Sequence, residues 1–369
     1  MRDFFIHNAL YWLEEFHFDG LRLDAVHALP DDSDPDILTE LAGAVHRGPG
    51  RERHVHLVLE NDSNNARRLE RDADGRPLQY VAQWNDDIHH AFHVLLTGEA
   101  DGYYADYTRD PAGHAGRCLT EGYAYQGEPS GFRGKPRGEP SRALPLAAFV
   151  SFLQNHDQIG NRAFGERLAQ LAEPRALVAA ASVVLLAPSP PLIFMGEEFG
   201  AATPFLFFCD LGGELAAAVR DGRRREFARF PQFQDPAAAA AIPDPVAPDT
   251  FERCKLDWTS VAQPPHADWL SLHRRLLALR HREIVPLLAG VTGRDRSFRR
   301  IGGSAMAARW RVSGDAELVL IANLGSTPEY TQDAPTGRII YSTEAPAGAP
   351  LPGGRLPHWS ATWLLATAE

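Results

Sequence analysis

Three carboxylates stand at the ends of apolar runs: Asp24 after GLRL, Glu60 after HVHLVL, and Asp157 after the run that closes FLQNH. Acids so placed suit acid–base or nucleophilic work, and hydrolysis of a glycosidic bond needs two of them. One protonates the leaving oxygen, while the other attacks the anomeric carbon or activates water. Asp24 and Glu60 lie one strand–helix unit apart, so adjacent strands can turn both toward one cavity. A retaining enzyme holds such a pair about 5–5.5 Å apart. Arg22 sits two residues before Asp24, on the same face of a strand. Its charge favours an ionised aspartate, as a nucleophile requires. The apolar approach Leu57-Val58-Leu59 suits an acid that keeps its proton. A structural ion pair or a helix cap explains any one of these residues as well; it explains all three together poorly.

The elements that must position these groups alternate. Residues 3–16 have apolar positions at helical spacing, 20–26 read as a strand, and 34–46 as a helix entered at an acidic cap with proline at its first position. Strands follow at 54–62 and 79–84, a helix at about 86–96, a polar glycine-rich loop over 98–142, a strand at 146–154, a helix at 174–187 and a strand at 190–198. The strands are nearly continuous apolar runs, as in parallel strands buried on both faces. Each ends in polar or charged residues, and active sites of (β/α) barrels lie at that end. An Ala/Pro-rich loop at 235–248 and an amphipathic helix at 267–284 follow. Beyond residue 290 come short strands without helices between them: SAMAARWRV, ELVLIANL, GRIIYST and SATWLLAT, the pattern of a small antiparallel β domain.

Composition narrows the class. With 369 residues, 44% apolar and 23% charged, the chain is long enough for a large core and ordinary for a globular protein. A net charge of -11 leaves no basic excess for nucleic acid, and Arg223-Arg224-Arg225 reads as a solvated helix face. Cys118, Cys209 and Cys254 are odd in number and far apart, which fits a reducing compartment. The N-terminal stretch lacks the pattern of a signal peptide, and the run ALVAAASVVLLA is too short to span a bilayer. A cytoplasmic location, no membrane contact and no nucleic acid are therefore expected. No second-ligand spacing around His89-His90 or His156 supports a metal.

The segments DGLRLDAVH, LVLEND and QNHDQIGN resemble three of the four signature segments of the α-amylase family, glycoside hydrolase family thirteen. The resemblance implies a (β/α)8 TIM barrel followed by a C-terminal β domain, and a retaining mechanism that needs no cofactor. Asp24 resembles the nucleophile, Glu60 the general acid/base and Asp157 the carboxylate that stabilises the transition state. Arg22 resembles the partner of the nucleophile, and Asn155 and His156 belong to the segment that grips the sugar. Further along, QYVAQWNDDIHHAFHVLLTGE and IFMGEEFGAATPFLFFCD are similar to the branch of that family that cuts the α-1,4 bond next to a terminal trehalose. That similarity implies maltooligosyltrehalose, or a related α-glucan, as substrate, with His27, Trp84, Asp86 and His89 facing the sugars. Helix capping at Asn85 or Asp86 is an equal alternative for that segment, and core packing the favoured one for Phe205, Phe207 and Phe208. A glucan branching enzyme and an inactive glucan-binding fragment are the rival functions.

One signature segment, closing the third barrel strand of the family, has no counterpart here. The expected architecture is therefore a partial barrel over 1–288, with strands four to eight only, and a β domain over 289–369. Five strands do not close an eight-stranded barrel, so the expectations are an N-terminally truncated product or misplaced start, a separate polypeptide that supplies the missing part, or a fragment that no longer catalyses.

Overall fold

The computed structural model describes residues 1–228, 230, 233–288, 295–332, 336–344 and 354–367. The chain divides into two compact units. One comprises 1–152, 178–192 and 279–369, the other 153–177 and 193–278.

The first unit opens with α1 (Arg2–Glu14), which buries Ile6, Ala9 and Leu13 and leaves Phe4, Phe5 and Tyr11 exposed. It leads into β1 (Gly20–Leu23). A Cβ at Gly20 would lie 2.2 Å from the His56 carbonyl oxygen, so only glycine lets β1 start this close to its neighbour. Helix α2 (Ile37–Arg47) follows, then β2 (His56–Leu59), β3 (Ala82–Trp84), α3 (Asp86–Thr97), α4 (Pro111–Glu121) and β4 (Phe149–Val150). The four strands form one parallel sheet in the order β1-β2-β3-β4, with Leu23 opposite Leu59, Leu59 opposite Gln83 and Trp84 opposite Val150.

Several expectations are corrected. The proline of α2 precedes the helix: the cap is Asp36, which accepts the Thr39 N–H at 2.9 Å. The strand expected at 190–198 is a single parallel bridge, Ser151 with Pro191, because Pro190 and Pro191 have no N–H to give to a ladder. The loop expected over 98–142 contains α4, capped by Asp110 on the Gly113 N–H at 3.1 Å. Its glycines weaken the helical signal for a packing reason. A Cβ at Gly116 would lie 2.5 Å from the Phe298 ring.

In the second unit the strand end turns into the five-residue helix α5 (His156–Gly160). Helix α6 (Pro174–Leu186), which matches expectation, belongs from Val178 onward to the first unit, as does the wider turn Arg280–Ile284, whereas α7 (Gly213–Phe227), also in the second unit, carries the arginine cluster, and α8 is His266–Leu279. Arg223 of that cluster is buried, not solvated as its charge suggested. It donates to the carbonyls of Gly160 at 2.7 Å and Arg162 at 3.0 Å.

The C-terminal strands belong to the first unit. β5 (Arg296–Arg300), β6 (Ala305–Arg311), β7 (Ala316–Asn323), β8 (Arg338–Ser342) and β9 (Ser360–Thr367) form an antiparallel sheet in the order β8-β9-β7-β6-β5. Four strands fall where alternation predicts them, while β5, RSFRR, is masked by its arginines. Trp310 and Trp363 stack at 5.5 Å, fully buried. Their indole N–H groups reach the Leu119 carbonyl of α4 at 3.1 Å and the Ser182 carbonyl of α6 at 3.2 Å.

Candidate active site

Asp24 and Glu60 follow the paired residues Leu23 and Leu59, so they stand side by side at the carboxyl ends of adjacent parallel strands. Neighbouring strands are about 4.8 Å apart. The Glu60 N–H donates to the Leu23 carbonyl at 2.9 Å and the Val26 N–H to the Glu60 carbonyl at 3.1 Å, which extends the ladder past both acids. Between them Ala25 adopts a left-handed backbone, φ 45°, and its N–H meets Glu60 Oε2 at 2.6 Å. Such strain in a non-glycine residue persists only where the surroundings hold it. Here the hydrogen bond to Glu60 does so. It also ties the two acids into one turn.

The two carboxylates differ in exposure. The Asp24 side chain is 76% exposed and accepts Arg22 Nη1 at 2.5 Å, while Glu60 is half-buried. Arg22 itself lies over the Trp84 ring, its guanidinium carbon 4.1 Å from the centroid. The ends of β1, β2 and β3 thus present Asp24, Glu60 and Trp84 in a row. His27 is exposed beside them, its Nδ1 accepting the Asp62 N–H at 3.2 Å.

Asp86, the first residue of α3, is half-buried, and its carboxyl is pushed up to about 7. Burial is the main cause and the Glu60 charge the next; Arg137 opposes them. The capping alternative for this segment fails at the side-chain level. Asn85 occupies the cap position but sends Nδ2 to the Gly122 carbonyl at 2.7 Å.

Asp87 was not singled out in the sequence, yet it is the hub of the site's support. It is fully buried and accepts Tyr107 Oη at 2.6 Å, Ala124 N at 2.8 Å, Tyr125 N at 3.1 Å, Asn64 Nδ2 at 3.0 Å and the Arg137 guanidinium. Burial alone would raise its carboxyl. The Arg137 charge and these donors outweigh it and hold the group below the usual range. Arg137 donates onward to the Asp62 carbonyl at 2.9 Å, and Arg133 pairs with the Asp62 carboxylate. The segment from 98 to 142 is thereby clamped to the ends of β2 and β3. The sequence signal for Asp87 was an acid in the second position of a helix whose next nine residues are all apolar or histidine.

His89 is corrected. It is 1% exposed, bonded through Nε2 to Tyr104 Oη at 2.9 Å and packed on Phe152, so it faces the core and not a sugar. His90, also buried, titrates well below the usual histidine value, first because of burial and then because of the neighbouring charges of His89 and Arg137.

In the second unit the polar knot after the strand is a capped helix. The Asn155 side chain accepts Asp157 N at 2.8 Å, and Gln158 reaches back to Asn155 N at 3.2 Å. Asn155 is 1% exposed, and its oxygen is committed to the cap, so it orients Asp157 and does not present that oxygen to a sugar. His156 Nε2 and Asp157 Oδ1 are 3.5 Å apart, both about half exposed. Glu197 is pushed up to about 7, chiefly by burial, against the Phe194 N–H, Gln154 and Arg167. Phe207 is exposed at 43%, while Phe205 and Phe208 are partly buried. Among the described residues no three His, Cys, Asp or Glu side chains gather as metal ligands, and no helix is long and apolar enough to cross a membrane.

Comparison with known proteins gives a consistent picture. The sequence family described as "Domain of unknown function (DUF3459)" matches residues 293–363. A malto-oligosyltrehalose trehalohydrolase of Rhizobium sp. (strain M-11) is 40% identical over 351 residues, 93% of this chain and 56% of the relative. A crystal structure of a Salmonella typhimurium protein described as an alpha amylase is 40% identical with a TM-score of 0.90, covering 99% of this chain and 60% of that one. A 1,4-alpha-glucan branching enzyme of Nocardia farcinica is more distant, 26% identical over 218 residues, 54% of this chain and 26% of that protein. The chain spans a little over half the length of this trehalohydrolase and of the Salmonella protein.

Proposed function

We propose that this chain, which is similar to the malto-oligosyltrehalose trehalohydrolases, belongs to the α-amylase family of glycoside hydrolases and carries their chemistry: retaining cleavage of the α-1,4 bond next to the terminal trehalose of maltooligosyltrehalose. The observation that carries the proposal is the side-by-side placement of Asp24 and Glu60 at the ends of β1 and β2, one exposed and paired with arginine, the other half-buried. Asp24 attacks the anomeric carbon while Glu60 protonates the departing trehalose oxygen. Glu60 then takes a proton from water, which attacks the glycosyl–Asp24 ester and releases the glucan with retention. Arg22 holds the Asp24 carboxylate, and Trp84, braced by Arg22, offers its ring to the substrate. Asp157 and His156 take the roles that their motif has in the family: stabilising the oxocarbenium-like state and binding a sugar hydroxyl.

The parallel sheet and its bridge at Pro191 correspond, on this reading, to strands four to eight of the family's barrel, with the β domain from 289 onward. The three free cysteines fit trehalose synthesis in the cytoplasm.

The test is trehalose release from maltooligosyltrehalose by the purified chain, with Asp24→Asn as control. Release abolished by the substitution is the expected result. New α-1,6 branches would favour the branching reading, and glucan binding with no turnover by soluble, folded protein would favour a binding role alone.

A further inference from the structure

We propose that Arg133 is a positioning residue for His27: by holding Asp62 it keeps the His27 ring accepting at Nδ1, so that the ring proton sits on Nε2 and His27 meets a sugar as a hydrogen-bond donor. The inference rests on the proposed activity, with His27, exposed beside the two acids, among the groups that meet the substrate.

The geometry starts at the acid. The three residues after Asp24 hang from the exit of β2. The Ala25 N–H meets Glu60 Oε2 at 2.6 Å, the Val26 N–H meets the Glu60 carbonyl at 3.1 Å, and His27 Nδ1 accepts the Asp62 N–H at 3.2 Å. The first two bonds fix the backbone that leads into His27, and the third fixes its ring. A backbone N–H can only donate, so Nδ1 presents a lone pair there and the proton of the neutral ring is on Nε2.

That bond is only as fixed as Asp62. The Asp62 carbonyl accepts Arg137 Nε at 2.9 Å, and its carboxylate is gripped by both terminal nitrogens of Arg133. Arg137 stands farther from the carboxylate, at 3.6 Å, and is engaged by Asp87 and by Tyr107 Oη at 2.7 Å. The two-pronged grip of Arg133 therefore sets the Asp62 side chain, since a planar guanidinium fixes the direction of a carboxylate as well as its distance. Arg133 is itself placed by a tight turn. Pro129–Ser130 pairs with Lys135–Pro136, Asp106 accepts the Ser130 hydroxyl and, at 2.9 Å, the Phe132 N–H, and the Arg133 N–H donates to Ser130 Oγ at 3.1 Å. One line of contacts thus runs from Asp106 through the turn and Arg133 to Asp62 and His27. Its consequence is chemical: ring and glycosidic oxygens of a sugar only accept, and Nε2–H serves them where a lone pair at that atom would not.

The first test needs no substrate, so it stands apart from the proposed activity. In 15N-labelled protein a scalar coupling across the hydrogen bond, from the Asp62 amide nitrogen to His27 Nδ1, is expected together with a proton on Nε2. Both assignments are made by loss of the signal in His27→Ala. The coupling is expected to vanish in Arg133→Gln. Its absence from the unsubstituted protein, a proton on Nδ1, or a coupling that survives in Arg133→Gln overturns the proposal. The second test is kcat/KM on maltooligosyltrehalose for His27→Ala, Arg133→Gln and the double variant. His27→Ala is expected to lower it about three- to tenfold, as loss of one neutral hydrogen bond does. In the His27→Ala background Arg133→Gln is expected to lower it no further. Losses that multiply, as from an arginine that touches the sugar or only supports the fold, overturn the proposal, as does full activity in His27→Ala. If the unsubstituted chain turns nothing over, the proposed activity falls and the first test still decides the role of Arg133. Should Arg133→Gln fail to fold, Arg133→Lys, which keeps the charge without the two-pronged fit, takes its place in both tests.

Discussion

Removing the Asp87 carboxylate is expected to unfold the clamp around the site. Asp87 is fully buried and Arg137 is 5% exposed, so Asp87→Ala leaves a guanidinium in the interior with only the Asp62 carboxylate, 3.6 Å away and shared with Arg133, as counter-charge. Breaking a buried pair from one side costs about 3–5 kcal/mol. The same substitution strands the Tyr107 hydroxyl, the Ala124 and Tyr125 N–H groups and an Asn64 amide proton. Several donors orphaned together place the loss at the upper end, about 4–5 kcal/mol. Asp87→Asn keeps the shape and one acceptor oxygen and removes the charge, so about 2–3 kcal/mol is expected. Urea unfolding of the two variants against the unsubstituted protein, followed by tyrosine fluorescence and far-UV circular dichroism, reads both. The order Ala worse than Asn worse than unsubstituted is required, and a loss under about 1 kcal/mol for Asp87→Ala would refute the reasoning, because a pair solvated in solution costs no more than that. The pH sign follows from the lowered carboxyl. Its contribution is present above the unfolded-state value of about 3.9 and is lost as pH falls through the folded value.

Other expectations can be checked with the same protein. His90 is buried neutral, so stability should decline as pH falls below about 6.5, the unfolded histidine value, and His90→Phe should flatten that part of a melting-temperature profile. Gly116→Val places a branched side chain against the Phe298 ring and should cost about 1–3 kcal/mol in denaturant midpoint measurements. Asn155→Ala removes the cap of α5 and should cost about 1 kcal/mol in stability; kcat should fall more than KM rises, since the cap orients Asp157 and binds nothing itself. Trp310→Phe keeps a ring against Trp363 but loses the bond to Leu119, and calorimetry should show a loss of about 1–2 kcal/mol.

The acids of the site were legible because chemistry forces them to strand ends. An apolar run that stops at Asp24 or Glu60 is visible without coordinates, and the pairing of Leu23 with Leu59 confirms the adjacency. The C-terminal strands were legible for the same reason of pattern. What stayed hidden depends on partners distant in sequence. Asp86 and Asp87 are identical letters side by side, and only folding decides which faces the strand ends and which is locked by Arg137, fifty residues on. His89 looked like a sugar ligand by its motif and is a core residue because Tyr104 and Phe152 close over it. Helix α4 was missed because Gly113 and Gly116 argue against a helix locally, while Asp110 and Phe298 argue for one tertiarily. Arg223 was misjudged because a run of charge is usually solvated, and this one meets the carbonyls of Gly160 and Arg162.

The most direct test of the central claim is to trap the covalent intermediate. In Glu60→Gln the second step lacks its base, whereas a fluorinated glucosyl fluoride needs no acid to leave, so the glycosyl ester should accumulate. The account predicts that peptide mass spectrometry finds one glycosyl unit on the peptide containing Asp24 and that Asp24→Asn abolishes it. A label on Glu60 or Asp157 of the unsubstituted protein, or turnover of the reagent with inversion and no adduct, would contradict it.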